Sequence, residues 1–224
     1  MLWYIIRFRI SNKKMKKFLC YGDSNTFGYN AKDGSRYNQQ ERWSGILKTK
    51  LQGKFEIIEE GCTNRTGFVD NPESFEKSGL RHFPELMKTI DSVDVLIIAL
   101  GTNDLQKYFD VTEEDIYRGF KSYISVLKKY NNNAKIIIIP PVLLNKDVLN
   151  GTFAFQYERN AIEKSAEFID TCKNFAAQND CDFFDFNEFA KPDSIDGLHY
   201  NTNSHSIIAQ KLLEFIEDKI KEYN

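Results

Sequence analysis

Two runs of this sequence are apolar almost without interruption: Val93–Leu100, VDVLIIAL, and Lys135–Ile139, KIIII. A strand with one face in water alternates apolar and polar residues, whereas a strand covered by helices on both faces does not. These runs therefore commit the chain to a parallel sheet buried between helical layers. With Lys135–Pro140 taken as one strand, the other β-rich runs are Lys17–Tyr21, Phe55–Glu59 and Asp182–Phe186. Between them the apolar period changes to three and four. Trp43–Leu51 gathers Trp43, Ile46, Leu47 and Leu51 on one side, and Glu113–Tyr130 repeats Ile116, Phe120, Tyr123, Ile124 and Leu127. Phe155–Gln178 and Ser204–Tyr223 read as two further amphipathic helices, the second carrying Ile207, Ile208, Leu212, Phe215, Ile216 and Ile220. Thr112 with Asp115, and Thr202 with Ser204, are candidate helix caps. Strands alternating with helices imply right-handed βαβ units and a doubly wound α/β sheet, with sites at the carboxyl ends of its strands.

At 224 residues the chain is long enough for one full domain and short for two. Its 30 basic and 32 acidic residues leave a formal charge of -2, which gives no electrostatic reason to expect nucleic acid. No segment approaches the ~20 apolar residues that a membrane-spanning helix needs. The opening MLWYIIRFRI has some signal-peptide character, but Arg7 and Arg9 interrupt it and no small-residue cleavage site follows. Met15 opens MKKFLCYGDSN like a natural start. Residues 1–14 are thus expected to be a dispensable extension, residues 15–224 a single domain, and the location the cytoplasm. Cys20, Cys62, Cys172 and Cys181 form no CxxC pair, which favours free thiols over disulfides or a zinc site.

Four blocks carry possible chemistry. Gly22-Asp23-Ser24-Asn25-Thr26 follows the first strand and would present a serine hydroxyl at a strand tip; alone, it reads as a plain β-to-α turn. Asp196-Gly197-Leu198-His199 places an acid three residues before a histidine, so that the carboxylate can orient a general base. His199 reads equally as that base or as an ordinary loop residue. His82 has no acid at useful spacing, and His205, within the last helix, suits a surface or capping role. Gly101-Thr102-Asn103-Asp104 ends the most apolar strand, where the Asn103 amide could donate to an oxyanion or simply shape a turn. Glu60-Gly61-Cys62-Thr63-Asn64-Arg65-Thr66 follows the second strand and offers a backbone N–H. Within it, Cys62 lacks a nearby histidine to make it a nucleophile, and Arg65 fits either a substrate contact or an ion pair. Phe27, Tyr108, Phe109 and Phe153–Phe155 could line an acyl pocket, although aromatic residues are abundant enough for most to be core.

In that order and on those strand tips, the blocks resemble the SGNH/GDSL hydrolases, and the resemblance runs from Lys17 to about Leu213. It implies a flavodoxin-like three-layer α/β/α sandwich with a five-stranded parallel sheet in the order 2-1-3-4-5. It also implies metal-independent hydrolysis of a small-molecule ester without a cofactor. Ser24 would be the nucleophile, His199 the base and Asp196 its orienting acid. The oxyanion would be held by the Ser24 backbone N–H, a backbone N–H of the Gly61–Asn64 loop and the Asn103 side chain. Asn64 stands where many members of the family carry glycine. Glu59 to Thr66, Gly101 to Phe109, Ile139 to Val142 and the Arg42-Trp43 pair are similar to the arylesterase and acyltransferase-like branch. That branch implies short-chain acyl esters, acyl transfer to alcohols and a homo-oligomer. A sugar acetylesterase or thioesterase on the same scaffold is the alternative within the class. A flavodoxin-like nucleotide or ligand binder is the alternative outside it, although no G-x-G-x-x-G or Walker pattern is present.

Overall fold

The computed structural model describes residues 15–90 and 92–223. The segment read as an extension, 1–14, lies outside the described residues. Five strands, β1 (Lys16–Gly22), β2 (Phe55–Gly61), β3 (Val95–Ala99), β4 (Lys135–Ile139) and β5 (Asp182–Phe183), form one sheet in the order β2-β1-β3-β4-β5. Every pairing is parallel, with Cys20 opposite both Glu59 and Ile97, and Ile97 opposite Ile137. The order is the one expected. The two apolar runs are β3 and β4 at the centre of the sheet, where Leu96, Ile97, Ile137 and Ile138 are wholly buried. Central strands have no face left for water, and so their sequence carries no alternation.

Among the described residues six α-helices accompany the strands: α1 (Ser24–Phe27), α2 (Trp43–Lys50), α3 (Gly79–Thr89), α4 (Glu113–Tyr130), α5 (Asn160–Gln178) and, after β5, α6 (Thr202–Tyr223). α2 packs on α6, and α3, α4 and α5 pack in series, which gives the two helical layers. The Thr112–Asp115 capping box starts α4, with side chain and backbone bonded reciprocally. No helix among the described residues is long and apolar enough to cross a membrane.

Several boundaries differ from expectation, each for a local reason. β5 ends at Phe183 because Asp185 turns the chain, its carboxylate accepting from Asn187 N at 2.8 Å. α5 starts at Asn160 rather than near Phe155, after a separate 3₁₀ turn at Ala154–Gln156 and an extended Tyr157. The expected cap of α6 by Thr202 and Ser204 is replaced by Asn201, whose Oδ1 accepts from Ser204 N at 3.0 Å. α3 has no counterpart among the expected helices, since Pro84 lies inside it and obscures the helical pattern. His205 is not on the surface. It is fully buried, its Nδ1 accepts from Trp43 N at 3.4 Å, and burial pushes its pKa down to about 3.

The strand tips meet closely at the end where the site lies. Gly61 pairs with Gly22, and a Cβ on Gly61 would stand 2.2 Å from Phe27 N in α1. Backbone cannot yield as a flexible side chain can. Gly61→Ala is therefore expected to destabilise the fold by about 1–3 kcal/mol, read as a lower urea midpoint at unchanged slope.

Candidate active site

β1 ends at Gly22, and Asp23 caps α1 by accepting from Asn25 N at 2.9 Å. Ser24 is thus the first helical residue, with an N–H that has no intrahelical partner. Burial raises Asp23 to about 6, even though the Asn25 N–H, His199, Thr102 and Arg65 all pull the other way. A second loop comes from 175 residues downstream and meets Ser24 face on: His199 Nε2 stands 2.8 Å from Ser24 Oγ. His199 Nδ1 is 2.6 Å from Asp196 Oδ2, while Asp196 Oδ1 accepts from Leu198 N at 2.9 Å and His199 N at 3.0 Å. Burial alone would raise Asp196, but the His199 hydrogen bond and charge and the two backbone N–H groups outweigh it and hold the carboxyl below its usual range. Gly197 makes the turn at φ 68, and any Cβ there would meet Val148 N at 2.3 Å.

Asn25 fastens the two loops together. Its Nδ2 donates to Leu198 O and its Oδ1 accepts from Tyr200 N, each at 3.0 Å. Tyr29 and Phe153 pack against the imidazole, with ring centroids 4.5 and 5.8 Å from that of His199, and against each other at 6.0 Å.

β3 leads through Gly101, at φ 127, into a 3₁₀ turn that begins with Asn103. Asn103 Nδ2 donates to Arg65 O at 3.0 Å, and Asn103 and Ser24 line the same cavity. Asn64 lines it too, at φ 60, a left-handed conformation that asparagine tolerates better than most residues. The backbone N–H of Asn64 makes no hydrogen bond among the described residues. Asp104 braces this loop, accepting from Gly67, Phe68 and Val69 N at 2.7, 2.8 and 3.0 Å. The cavity holds about 280 Å³, with Thr63, Thr102, Gln156, Tyr157 and Leu198 in its remaining wall and Glu73 and Lys77 at its rim.

A serine, histidine and aspartate in line, beside a carboxamide on a strand tip, recur in a known group of proteins. Residues 20–207 match the family model described as the GDSL-like Lipase/Acylhydrolase family. The chain belongs to that family. Among solved structures, the M. smegmatis aryl esterase superposes with a TM-score of 0.79 at 27% identity, covering 91% of this chain and 99% of that one. A carbohydrate acetylesterase family member from Sinorhizobium meliloti gives 0.82 at 27% identity, covering 90% and 97%. An isoamyl acetate-hydrolyzing esterase from Schizosaccharomyces pombe is 28% identical over 147 residues, 61% of this chain. The match spans 56% of that relative's length.

Against the GDSL pattern, the structure brings Ser24, Asp196, His199, Asn64 and Asn103 together and leaves Gly61 behind, at the end of β2 against α1. Arg65 does not reach the cavity. It is 1% exposed, lies over the Tyr21 ring at 4.5 Å, and donates to the carbonyls of Glu60, Glu76 and Gly22. The Arg42 guanidinium grips the Glu59 carboxylate through two bonds, of 2.6 and 2.9 Å, so the branch-like Glu59 and Arg42-Trp43 signals are scaffold features. Cys62 is half-buried, and burial raises its thiol pKa. Of the candidate aromatic residues only Phe153 lines the cavity; Phe27 lies under Arg36, and Tyr108 and Phe155 are exposed. Tyr29, Asn25 and Tyr157 escaped sequence reasoning, since no spacing rule links them to Ser24. Among the described residues no group of three or more His, Cys, Asp or Glu is placed to hold a metal.

Proposed function

We propose that this chain is a serine esterase that hydrolyses short-chain acyl esters through an acyl-Ser24 intermediate. The observation that carries the proposal is the unbroken line from Asp196 through His199 to Ser24, at 2.6 and 2.8 Å. Ser24 Oγ attacks the ester carbonyl as His199 Nε2 takes its proton. The tetrahedral oxyanion is held by the N–H of Ser24, the N–H of Asn64 and the Asn103 amide. His199 then returns the proton to the departing alcohol, and water or a second alcohol, deprotonated by His199, releases the acid or a new ester. Asp196 stabilises the imidazolium and fixes the tautomer.

The cavity volume of about 280 Å³ supports a small acyl group, since it lies just below the roughly 300–1,000 Å³ of sites for drug-sized ligands. A second reading, a sugar acetate as substrate, is favoured by the charged Glu73 and Lys77 at the rim, where polar hydroxyls of a leaving alcohol could bond. The carbohydrate acetylesterase among the similar structures supports it as well. A nucleotide binder would have no use for a histidine directed at the Ser24 hydroxyl.

Turnover of p-nitrophenyl acetate, butyrate and octanoate, measured with a metal chelator present, tests the proposal. Activity is expected to survive the chelator and to fall from acetate to octanoate. Inactivity of the folded protein on all of them would remove the short-chain reading and leave the sugar ester to be assayed with acetylated xylose.

A further inference from the structure

Gln106 follows the Asn103 turn, 3% exposed, with its backbone N–H held by Asn103 O at 3.3 Å. Its side-chain amide carries two hydrogens and both are used: Nε2 donates to Asn64 Oδ1 at 2.7 Å and to Asn103 Oδ1 at 3.1 Å. We infer that Gln106 is a positioning residue that sets the orientation of both asparagines of the oxyanion site, acting through Asn103 on turnover. The inference rests on the reading of Asn103 as an oxyanion donor.

The network admits one arrangement of its three amides. At one end Asn64 Nδ2 donates to the Glu73 carboxylate, itself paired with Lys77. An ionised carboxylate only accepts, so Asn64 must turn its oxygen to Gln106. Gln106 must then present its NH₂ group, and Asn103 in turn must meet it with Oδ1. At the other end, Arg65 O likewise only accepts and takes one N–H of Asn103 at 3.0 Å. The second N–H of Asn103 remains for the cavity. Each bond also polarises the next, so a donor on Asn103 Oδ1 makes the Asn103 N–H a better donor in turn. Without Gln106, Asn103 keeps only its bond to Arg65 O, and Asn64, at φ 60, loses one of its two side-chain ties.

The glycine found at position 64 in many family members could not accept from Gln106. The asparagine side chain and Gln106 therefore form a unit, in which a residue with an uncommon backbone conformation is held by a neighbour that also aims Asn103.

The test is a cycle with p-nitrophenyl acetate. Asn103→Ala is expected to lower kcat roughly 10²–10³-fold. Gln106→Met, which keeps the length and removes both donors, is expected to lower kcat roughly 10–50-fold with KM nearly unchanged, as for a group felt mainly in the transition state. In the double variant Gln106→Met should cost far less than it does alone, because its main target is gone. Gln106→Glu, closer in shape than Met, should nonetheless be the slower of the two, since an acceptor there turns the Asn103 oxygen towards the oxyanion. A packing role alone would reverse that order. If Asn103→Ala is slow while Gln106→Met turns over like wild type, or if the two losses multiply, the positioning role is wrong and the donor reading stands. If Asn103→Ala keeps the wild-type kcat, the donor reading fails and takes the positioning role with it.

Discussion

Ser24→Ala is expected to lower kcat by roughly 10⁶-fold, the scale seen when a serine nucleophile is removed from a triad that works as a unit. The position of this serine matters as much as its type. Ser24 opens α1, its hydroxyl meets His199 Nε2 at 2.8 Å, and it lines the same cavity as Asn103 and Asn64. Alanine keeps the Cβ, the helix start and the backbone N–H. It should therefore fold like wild type, within about 1 kcal/mol for one lost hydrogen bond. The oxyanion donors and the substrate cavity remain, so a residual acceleration of roughly 10³–10⁴ over water is expected. Cys62 cannot substitute: its thiol pKa is raised by burial, and its sulfur donates weakly to Thr63 O. Steady-state assay paired with mass spectrometry of protein quenched during turnover of p-nitrophenyl acetate checks both halves. An acetyl adduct on Ser24 should form in wild type and be missing from the variant. A variant that turns over within tenfold of wild type would place the nucleophile elsewhere.

What the sequence discloses and what it hides divide along a physical line. Strands β3 and β4 are legible because residues buried on both faces leave no polar positions, and a run such as KIIII has few other uses. The Asp196–His199 unit is legible because its contact spans three residues and one turn. The Ser24–His199 pairing is not local at all. It could be anticipated only because both residues sit in motifs that occur together in a known family. Asn25, which joins the same two loops across 173 residues, sits beside Ser24 and yet gives no signal, since an asparagine after a serine is ordinary turn chemistry. Gln106 is hidden for the same reason. Arg65 keeps its ion-pair reading, with Glu60 at 3.4 Å, whereas His205 misleads in another way: nothing in a sequence separates a buried histidine from an exposed one, and here it is enclosed. Pro84 masks α3, because a proline inside a helix reads as its end.

Asp196→Asn is expected to cost about 10⁴ in kcat with little change in geometry, and the reason lies in which atoms can only donate. In the protein Asp196 Oδ1 accepts from the N–H groups of Leu198 and His199, and Oδ2 accepts from His199 Nδ1. An asparagine has one oxygen to offer. Two backbone N–H groups claim it, because neither can accept from an NH₂ group and both are buried. The NH₂ then faces His199 Nδ1, which must become an acceptor, and the imidazole proton moves to Nε2. There it points at Ser24 Oγ, so the nitrogen that should remove the serine proton is already protonated. The sign of the pH effect on stability follows from the same contacts. The Asp196 carboxyl is held below its usual range, so its contribution is present above the unfolded-state pKa of about 3.9 and is lost as pH falls through the lower folded value. Asp196→Asn removes that titration and should flatten the acid limb of stability while leaving the fold intact at neutral pH. Nitrogen-15 spectra of the His199 ring separate the causes: the Nδ1–H tautomer in wild type and the Nε2–H tautomer in the variant are expected. An unchanged tautomer with a large loss of rate would mean that Asp196 acts by charge on the imidazolium alone.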